Sequence, residues 1–437
     1  MRSSAARLGT LTLALAAVAA LSLASAPASR AAWPWTRKDL GEVTYPEVGV
    51  TAEWLVSHAG ARGVAVVDAR DEAAYSAGHV PRAISIPPGV VDDPASAGEA
   101  FGRLGLSGRE RIVCCGDSAW SPEAGMLFWL LEAAGAERAL VLEGGMRAYA
   151  EAGGELSTEP ATREPTEWRT TPRPDRVATL AYVADRYGRK GVEVVDARGR
   201  DGWEGLPATV DGEPVERTGH VPHALPYDFR KLFAPDGGLM PPEESRKALS
   251  ALGPRTGTYV DLSSEFIVYD DGSSRVGALG YFLMRRAGVD TVRYYAGGFA
   301  EWSAEGTTPV VRIVHGEELK ERLARERRWL RPNAPPGSFI FLDVRHISGY
   351  KGTRGHIPGA VNLASSVFAD SLDAVLEKHW PKVDRATTPI VTYCYGENCI
   401  RSRYTSTLAA RAGFLRIERF FGGLTEWRMV GGKTTAG

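Results

Sequence analysis

The chain has 437 residues, of which 44% are hydrophobic and 24% charged, with a formal net charge of −1. That length suits about two to four globular domains with buried cores. The near-neutral balance supplies no basic field for a nucleic acid or an acidic membrane, so neither is expected as a partner.

Arg2 and Arg7 flank the start of an apolar run, LGTLTLALAAVAALSLASA, and ASAPASRAA then offers small residues near Ala28 and Ala31. This order predicts a secretory signal peptide over residues 1–31, and with it an exported protein, periplasmic or extracellular. An uncleaved anchor is the alternative, since the run just reaches bilayer length. The small-residue sites favour cleavage. No later stretch is long and apolar enough to span a membrane, so no stable insertion is expected after cleavage. An oxidising compartment makes the four cysteines informative: Cys114, Cys115, Cys394 and Cys399 form two close pairs far apart in sequence. A disulfide framework would spread its cysteines along the chain. A C-x4-C pair without clustered histidines is a poor zinc site, so no metal is expected.

Beyond the leader, three landmarks recur in order. The β-branched runs VAVVDAR (64–70), VEVVDAR (192–198) and FIFLDVR (339–345) each end in Asp-x-Arg. GHVPRA (78–83), GHVPHA (219–224) and GHIPGA (355–360) follow, and each unit closes on LEGGMRAY (142–149), YAGGFAEW (295–302) or FGGLTEW (421–427). Between the last two landmarks lie the apolar runs RIVCC, FIVYD and IVTYC, each followed by a loop and a helical pattern. Apolar strands alternating with helices predict an α/β class, a parallel sheet flanked by helices, built three times. The domains are expected at 44–157, 176–308 and 312–435. A Pro- and Thr-rich linker is expected over 158–176 and a short break near EGTTPVVRIV. The second unit carries a long insertion, GRDGWEGLPATVDGEPVERT, before its Gly-His.

Ligands of parallel α/β sheets bind beyond the carboxyl ends of strands. A loop entering a helix there presents free N–H groups that favour an anion, or a thiolate over a thiol. The order Asp-x-Arg, Gly-His-[IV]-Pro-x-Ala, Tyr-Cys-loop-helix and Gly-Gly-x-x-x-Trp resembles the rhodanese (sulfurtransferase) family, over nearly the whole mature chain. The resemblance implies that a loop cysteine takes a sulfane sulfur from a donor such as thiosulfate. It would hold that sulfur as a persulfide and pass it to a thiophilic acceptor, a thiol or a cyanide-like species. No organic cofactor is required, because the travelling sulfur resides on the protein.

The three loops differ. In the third unit Cys394 is the nucleophile candidate, with Tyr395, Gly396, Glu397 and Asn398 in its loop. Arg401 stands seven residues on, as if the loop were about two residues longer than the family's usual form. It is read either as an attractor of an anionic donor or as a solvated first-turn arginine. Cys399 either resolves a persulfide or sulfenate at Cys394 as a disulfide, or is a small buried residue at the helix entry. The second loop begins at Asp270, whose carboxylate cannot carry sulfur, so that domain is expected to be inactive. In the first unit the motifs align Cys115 with Cys394, making it a possible second nucleophile, whereas a one-residue gap puts Gly116 there.

Other recurring residues read as structure. His79, His220 and His356 belong to separate units and are expected to satisfy turn backbone groups. The Asp-x-Arg pairs are expected to be intradomain ion pairs, and Trp302 and Trp427 core anchors. Two further functional readings stand beside sulfur transfer. Some phosphatases and arsenate reductases resemble this fold with Cys-x5-Arg; here Cys394 to Arg401 is Cys-x6-Arg, a mismatch for an oxyanion cradle. A thiol-disulfide relay or a binding scaffold using Cys394 and Cys399 is the other.

Overall fold

The computed structural model describes residues 47–206, 209–210, 213–214, 217–252, 259–327 and 338–436. The expected signal peptide over 1–31 and part of the insertion in the second unit lie outside them. Among the described residues no helix is long and apolar enough to cross a membrane.

Each Asp-x-Arg run becomes a central strand of its own parallel sheet. The first sheet contains β1 (Gly49–Val50), β2 (Val64–Asp68), β3 (Ile84–Ser85), β4 (Arg111–Cys115) and β5 (Arg138–Leu142), in the order β1-β5-β4-β2-β3. The second unit supplies β6 (Val192–Asp196), a small antiparallel pair β7 (Thr209–Val210) and β8 (Glu213–Pro214) within the insertion, then β9 (Leu225–Pro226), β10 (Glu265–Tyr269) and β11 (Val292–Tyr295). Its sheet runs β11-β10-β6-β9, with Val177 bridging Tyr294 where the first sheet has its edge strand. The third contains β12 (Val310–Val314), β13 (Ile340–Asp343), β14 (Val361–Asn362), β15 (Ile390–Tyr393) and β16 (Arg416–Phe420), ordered β12-β16-β15-β13-β14. The α/β class expected from the alternating pattern is the one observed, three times over.

Two segments read from sequence as connections are structural. Val310–Val314 lies along β16 as an edge strand, and Val311 also bridges His220 of the second unit. The Pro- and Thr-rich stretch is strapped to the first domain: Thr166 N–H donates to Gly102 O, and Trp168 Nε1 donates to Ala134 O at 2.9 Å.

The recurring polar residues hold each unit together in the same way. Arg70, Arg198 and Arg345 clasp Asp68, Asp196 and Asp343, and each also donates to the carbonyl of the glycine before the motif histidine. Each of these carboxylates is fully buried and therefore needs these donors. His79, His220 and His356 stack on Tyr75, Trp203 and Tyr350 and bridge by backbone to Ser157, Val311 and Thr435. The rings of His79 and His220 also bond carbonyls, at Tyr75 and Trp203. Trp302 and Trp427 are buried, their indole N–H groups on the carbonyls of Pro309 and Lys433.

The cores run across the units. The helix Pro122–Ala133 of the first packs on Val276–Arg286 of the second, and Gly125 allows the approach: a Cβ there would lie 2.6 Å from Leu279 Cα. The helix Ile400–Arg411 of the third domain docks on the second through Arg403 to His223 O and Arg411 to Tyr187 O.

Candidate active site

The sheet registers align the three strand ends. Asp68 pairs with Cys115, Asp196 with Tyr269, and Asp343 with Tyr393. Tyr269 and Tyr393 use their hydroxyls to donate to those aspartates, at 2.6 and 2.7 Å. Cys115 therefore holds the tyrosine position, and the residue in step with Cys394 and Asp270 is Gly116. The turns agree. Met146, Phe299 and Leu424, each just after a Gly-Gly pair, donate their N–H groups to the carbonyls of Gly116, Asp270 and Cys394. Gly423 makes that approach possible, with φ +55 and a hypothetical Cβ 2.5 Å from Cys394 O. The reading of Cys115 as a second nucleophile is corrected on this register. Burial, followed by the neighbouring Asp68 charge, also pushes its thiol well above the ordinary range, and burial does the same to Cys114.

With that register the three loops have one length. Helices begin at Pro122, Val276 and Ile400, and the residues before them, Ser121, Arg275 and Cys399, are all five positions past the strand-end residue. The third loop is thus no longer than its siblings. Arg401 is a second-position helical residue with an exposed side chain. Glu397 and Asn398 are also exposed, while Tyr395 and Gly396 are half-buried, Tyr395 lying under the Arg345 guanidinium at 5.0 Å. Cys394, 1% exposed, is joined to Cys399 by a disulfide. Cys399 itself is half-buried at the helix entry. In the first domain Ser121 fills the corresponding space, where a Cβ on Gly116 would collide with it.

The second loop shows what this geometry does with a negative group. Asp270 is fully buried and accepts from the N–H groups of Gly272 and Gly277, each at 2.8 Å, and from Tyr294 OH at 3.0 Å. The same offsets in the third loop fall on the backbone N–H groups of Gly396 and Arg401. Burial outweighs the donors and pushes the Asp270 carboxyl up to about 6. The folded protein thus holds this proton more tightly than the unfolded chain, where an aspartate titrates at about 3.9. The resulting stabilisation is complete below about pH 4 and is lost as pH rises through about 6. Asp270→Asn, which does not titrate, is expected to gain on wild type by about 3 kcal/mol between pH 4 and 7. Urea midpoints across that range measure it, and a pH-independent gap would contradict it.

Sequence reasoning missed Arg419. It is an inward-facing cation in the strand RIERF, 4% exposed and beneath the first turn of the Cys399-capped helix. Its signal was a charged residue at a position expected to face the core. Among the described residues no cluster of His, Cys, Asp and Glu is placed to hold a metal.

Three parallel sheets with this shared order and a strand-end loop leading into a helix define an α/β protein of tandem rhodanese fold. The sequence pattern of the rhodanese-like domain matches residues 51–152, 179–305 and 318–429, and the chain belongs to that family. It is 27% identical over 303 residues to a thiosulfate sulfurtransferase of Corynebacterium glutamicum, covering 65% of this chain and 95% of that one. It is also 27% identical to the sulfur carrier protein TtuD of Thermus thermophilus, over 63% of this chain and 99% of the relative. Among solved structures, the anaerobic ergothioneine biosynthesis enzyme from Chlorobium limicola shares the fold, with a TM-score of 0.51 and 20% identity over 60% of this chain and 70% of that one.

Proposed function

We propose that this chain is an exported sulfurtransferase that carries a sulfane sulfur on Cys394. The observation that carries the reading is internal. Of the three equivalent strand ends, Gly116, Asp270 and Cys394, only the last has a nucleophilic sulfur. Its sibling loop holds a carboxylate with the backbone donors that a thiolate or persulfide would use. The relatives' names, thiosulfate sulfurtransferase and sulfur carrier protein, agree. In the first half-reaction the Cys394 thiolate attacks the outer sulfur of thiosulfate, the thiosulfate S–S bond breaks, and sulfite leaves with its electron pair. In the second, a thiolate or cyanide attacks the outer persulfide sulfur and releases the Cys394 thiolate. The first two domains then serve as silent copies, the second as a docking wall for the cysteine-bearing helix.

The disulfide supports a second reading. A Cys399 thiolate attacking the inner sulfur of the persulfide would expel hydrosulfide and close Cys394–Cys399, and an external dithiol would reopen it. Intact mass of the exported chain tests both readings, and the loss of its first 28 or 31 residues tests export. After reduction and thiosulfate treatment a gain of one sulfur atom is expected. A loss of two hydrogens with no sulfur gained is what the Cys399 step leaves behind, and no sulfur gain by Cys399→Ser, which cannot take that step, would sink the carrier reading for this donor.

A further inference from the structure

We propose that Arg419 is the buried cation that holds the Cys394 sulfur in its anionic form, the role that the exposed Arg401 side chain cannot fill. The argument comes from comparing the three copies. On the strand beside each strand-end residue, Thr392 pairs with Arg419, Val268 with Tyr294, and Cys114 with Val141. In the second domain this position reaches the nucleophile site directly, because Tyr294 OH donates to Asp270. In the first domain, where the site holds Gly116, the position is an apolar valine. In the third, where the site holds a cysteine, it is an arginine. The polarity of the side chain thus follows what stands at the strand end.

The surroundings of Arg419 point the same way. Its Nε donates to Ser402 Oγ at 3.0 Å, and Ser402 Oγ lies 3.5 Å from the carbonyl of Cys399, the disulfide partner. The guanidinium lies 4.7 Å from the Phe421 ring centre, and no carboxylate is within salt-bridge distance among the described residues. Nearby arginines have carboxylate partners, Arg403 at 3.6 Å from Glu193 and Arg198 at 2.6 Å from Asp196. His220 and His223, facing from the second domain, are kept neutral by burial and by these arginines. Burial and then Arg403 push Arg419 itself down to about 9. A buried charge without a counter-ion is costly. Reduction of the disulfide, and then persulfide formation, places the missing anion at Cys394. Arg419 acts through charge and is a positioning residue.

The inference rests on Cys394 being the sulfur carrier, so its test reads the thiolate and not the transfer. Fully reduced protein is alkylated with iodoacetamide across pH, and modification at Cys394 is resolved by peptide mass. In wild type the midpoint is expected at least about one unit below the ordinary thiol value of about 8.5. Arg419→Gln is expected to raise it by about one unit or more, and Arg419→Lys to keep most of the depression. A wild-type midpoint at or above the ordinary value overturns the proposal, as does an unchanged midpoint in folded Arg419→Gln. If the glutamine variant fails to fold by circular dichroism, wild type and Arg419→Lys still decide it. Sulfur uptake from thiosulfate is measured separately. A shifted profile without uptake removes the proposed function but leaves the role of Arg419, and uptake with an unshifted profile removes only that role.

Discussion

Cys394→Ser is expected to lower sulfur uptake from thiosulfate by at least about 10³-fold, because the attacking atom is gone and the remaining Cys399 thiol stands five residues past the strand end. Cys115→Ser is expected to leave uptake within about twofold, since Cys115 holds the tyrosine position opposite Asp68 and its thiol is buried and protonated. The informative variant is Cys399→Ser. Wild type in its disulfide form has no free thiolate at Cys394, so it needs prior reduction. Cys399→Ser is expected to take up sulfur without that step and to hold the persulfide longer, because the internal thiol that would expel hydrosulfide is absent. Persulfide mass against time, with and without a reductant, separates wild type, Cys394→Ser and Cys399→Ser. Uptake by Cys394→Ser at the wild-type rate would remove the proposed site.

Glu132→Ala is expected to destabilise the body formed by the first two domains by about 3–5 kcal/mol. The Glu132 carboxylate is 5% exposed at the seam between the helices Pro122–Ala133 and Val276–Arg286. It accepts from Arg285 Nε at 3.1 Å, from Arg285 Nη2 at 3.3 Å and from Tyr281 OH at 2.5 Å. Removing it strands a buried guanidinium whose other carboxylate contact, Asp290, is largely exposed and screened by water. The double variant Glu132→Leu with Arg285→Met replaces both charges by apolar groups of similar volume. It is expected to recover most of the loss, as buried ion pairs gain little over well-packed apolar residues. Urea midpoints of wild type, Glu132→Ala and the double variant measure both effects. Equal losses in the single and double variants would show that side-chain volume, not charge, matters at this seam.

Much of the fold is legible in the chain because burial on both faces leaves a strong mark. Runs such as VAVVDAR and FIFLDVR are apolar up to their polar ends, Asp-x-Arg, which mark where each strand meets its loop. The edge strand Val310–Val314 was less legible. Its apolar run follows a turn-like EGTT and carries no Asp-x-Arg, so nothing local separates it from a linker. It becomes a strand only by lying along β16, more than a hundred residues later.

The site was half legible. Cys394 stood out because an apolar strand, a loop and a helical pattern surround it in the order that presents a thiolate to backbone donors. Arg401 drew attention by its charge, yet its side chain projects to solvent while its N–H occupies the position of the Gly277 donor. Arg419 escaped notice because strand periodicity shows that it faces inward but not what lies above it.

The sequence by itself determined the triple α/β repeat and the rhodanese-like character of each copy. These depend on local patterns of apolar, small and turn-forming residues, which a chain carries wherever it folds. Only the tertiary structure decided that Gly116, not Cys115, matches Cys394, that Cys394 bonds Cys399, and that Arg419 lies buried beneath that loop without a carboxylate partner. By pattern Cys115 and Gly116 fit the strand end equally well. The choice between them is made by the pairing of Cys115 with Asp68 and by the Gly-Gly turn over Gly116, both distant in sequence. Likewise, whether an arginine is paired depends on the neighbours that folding brings to it.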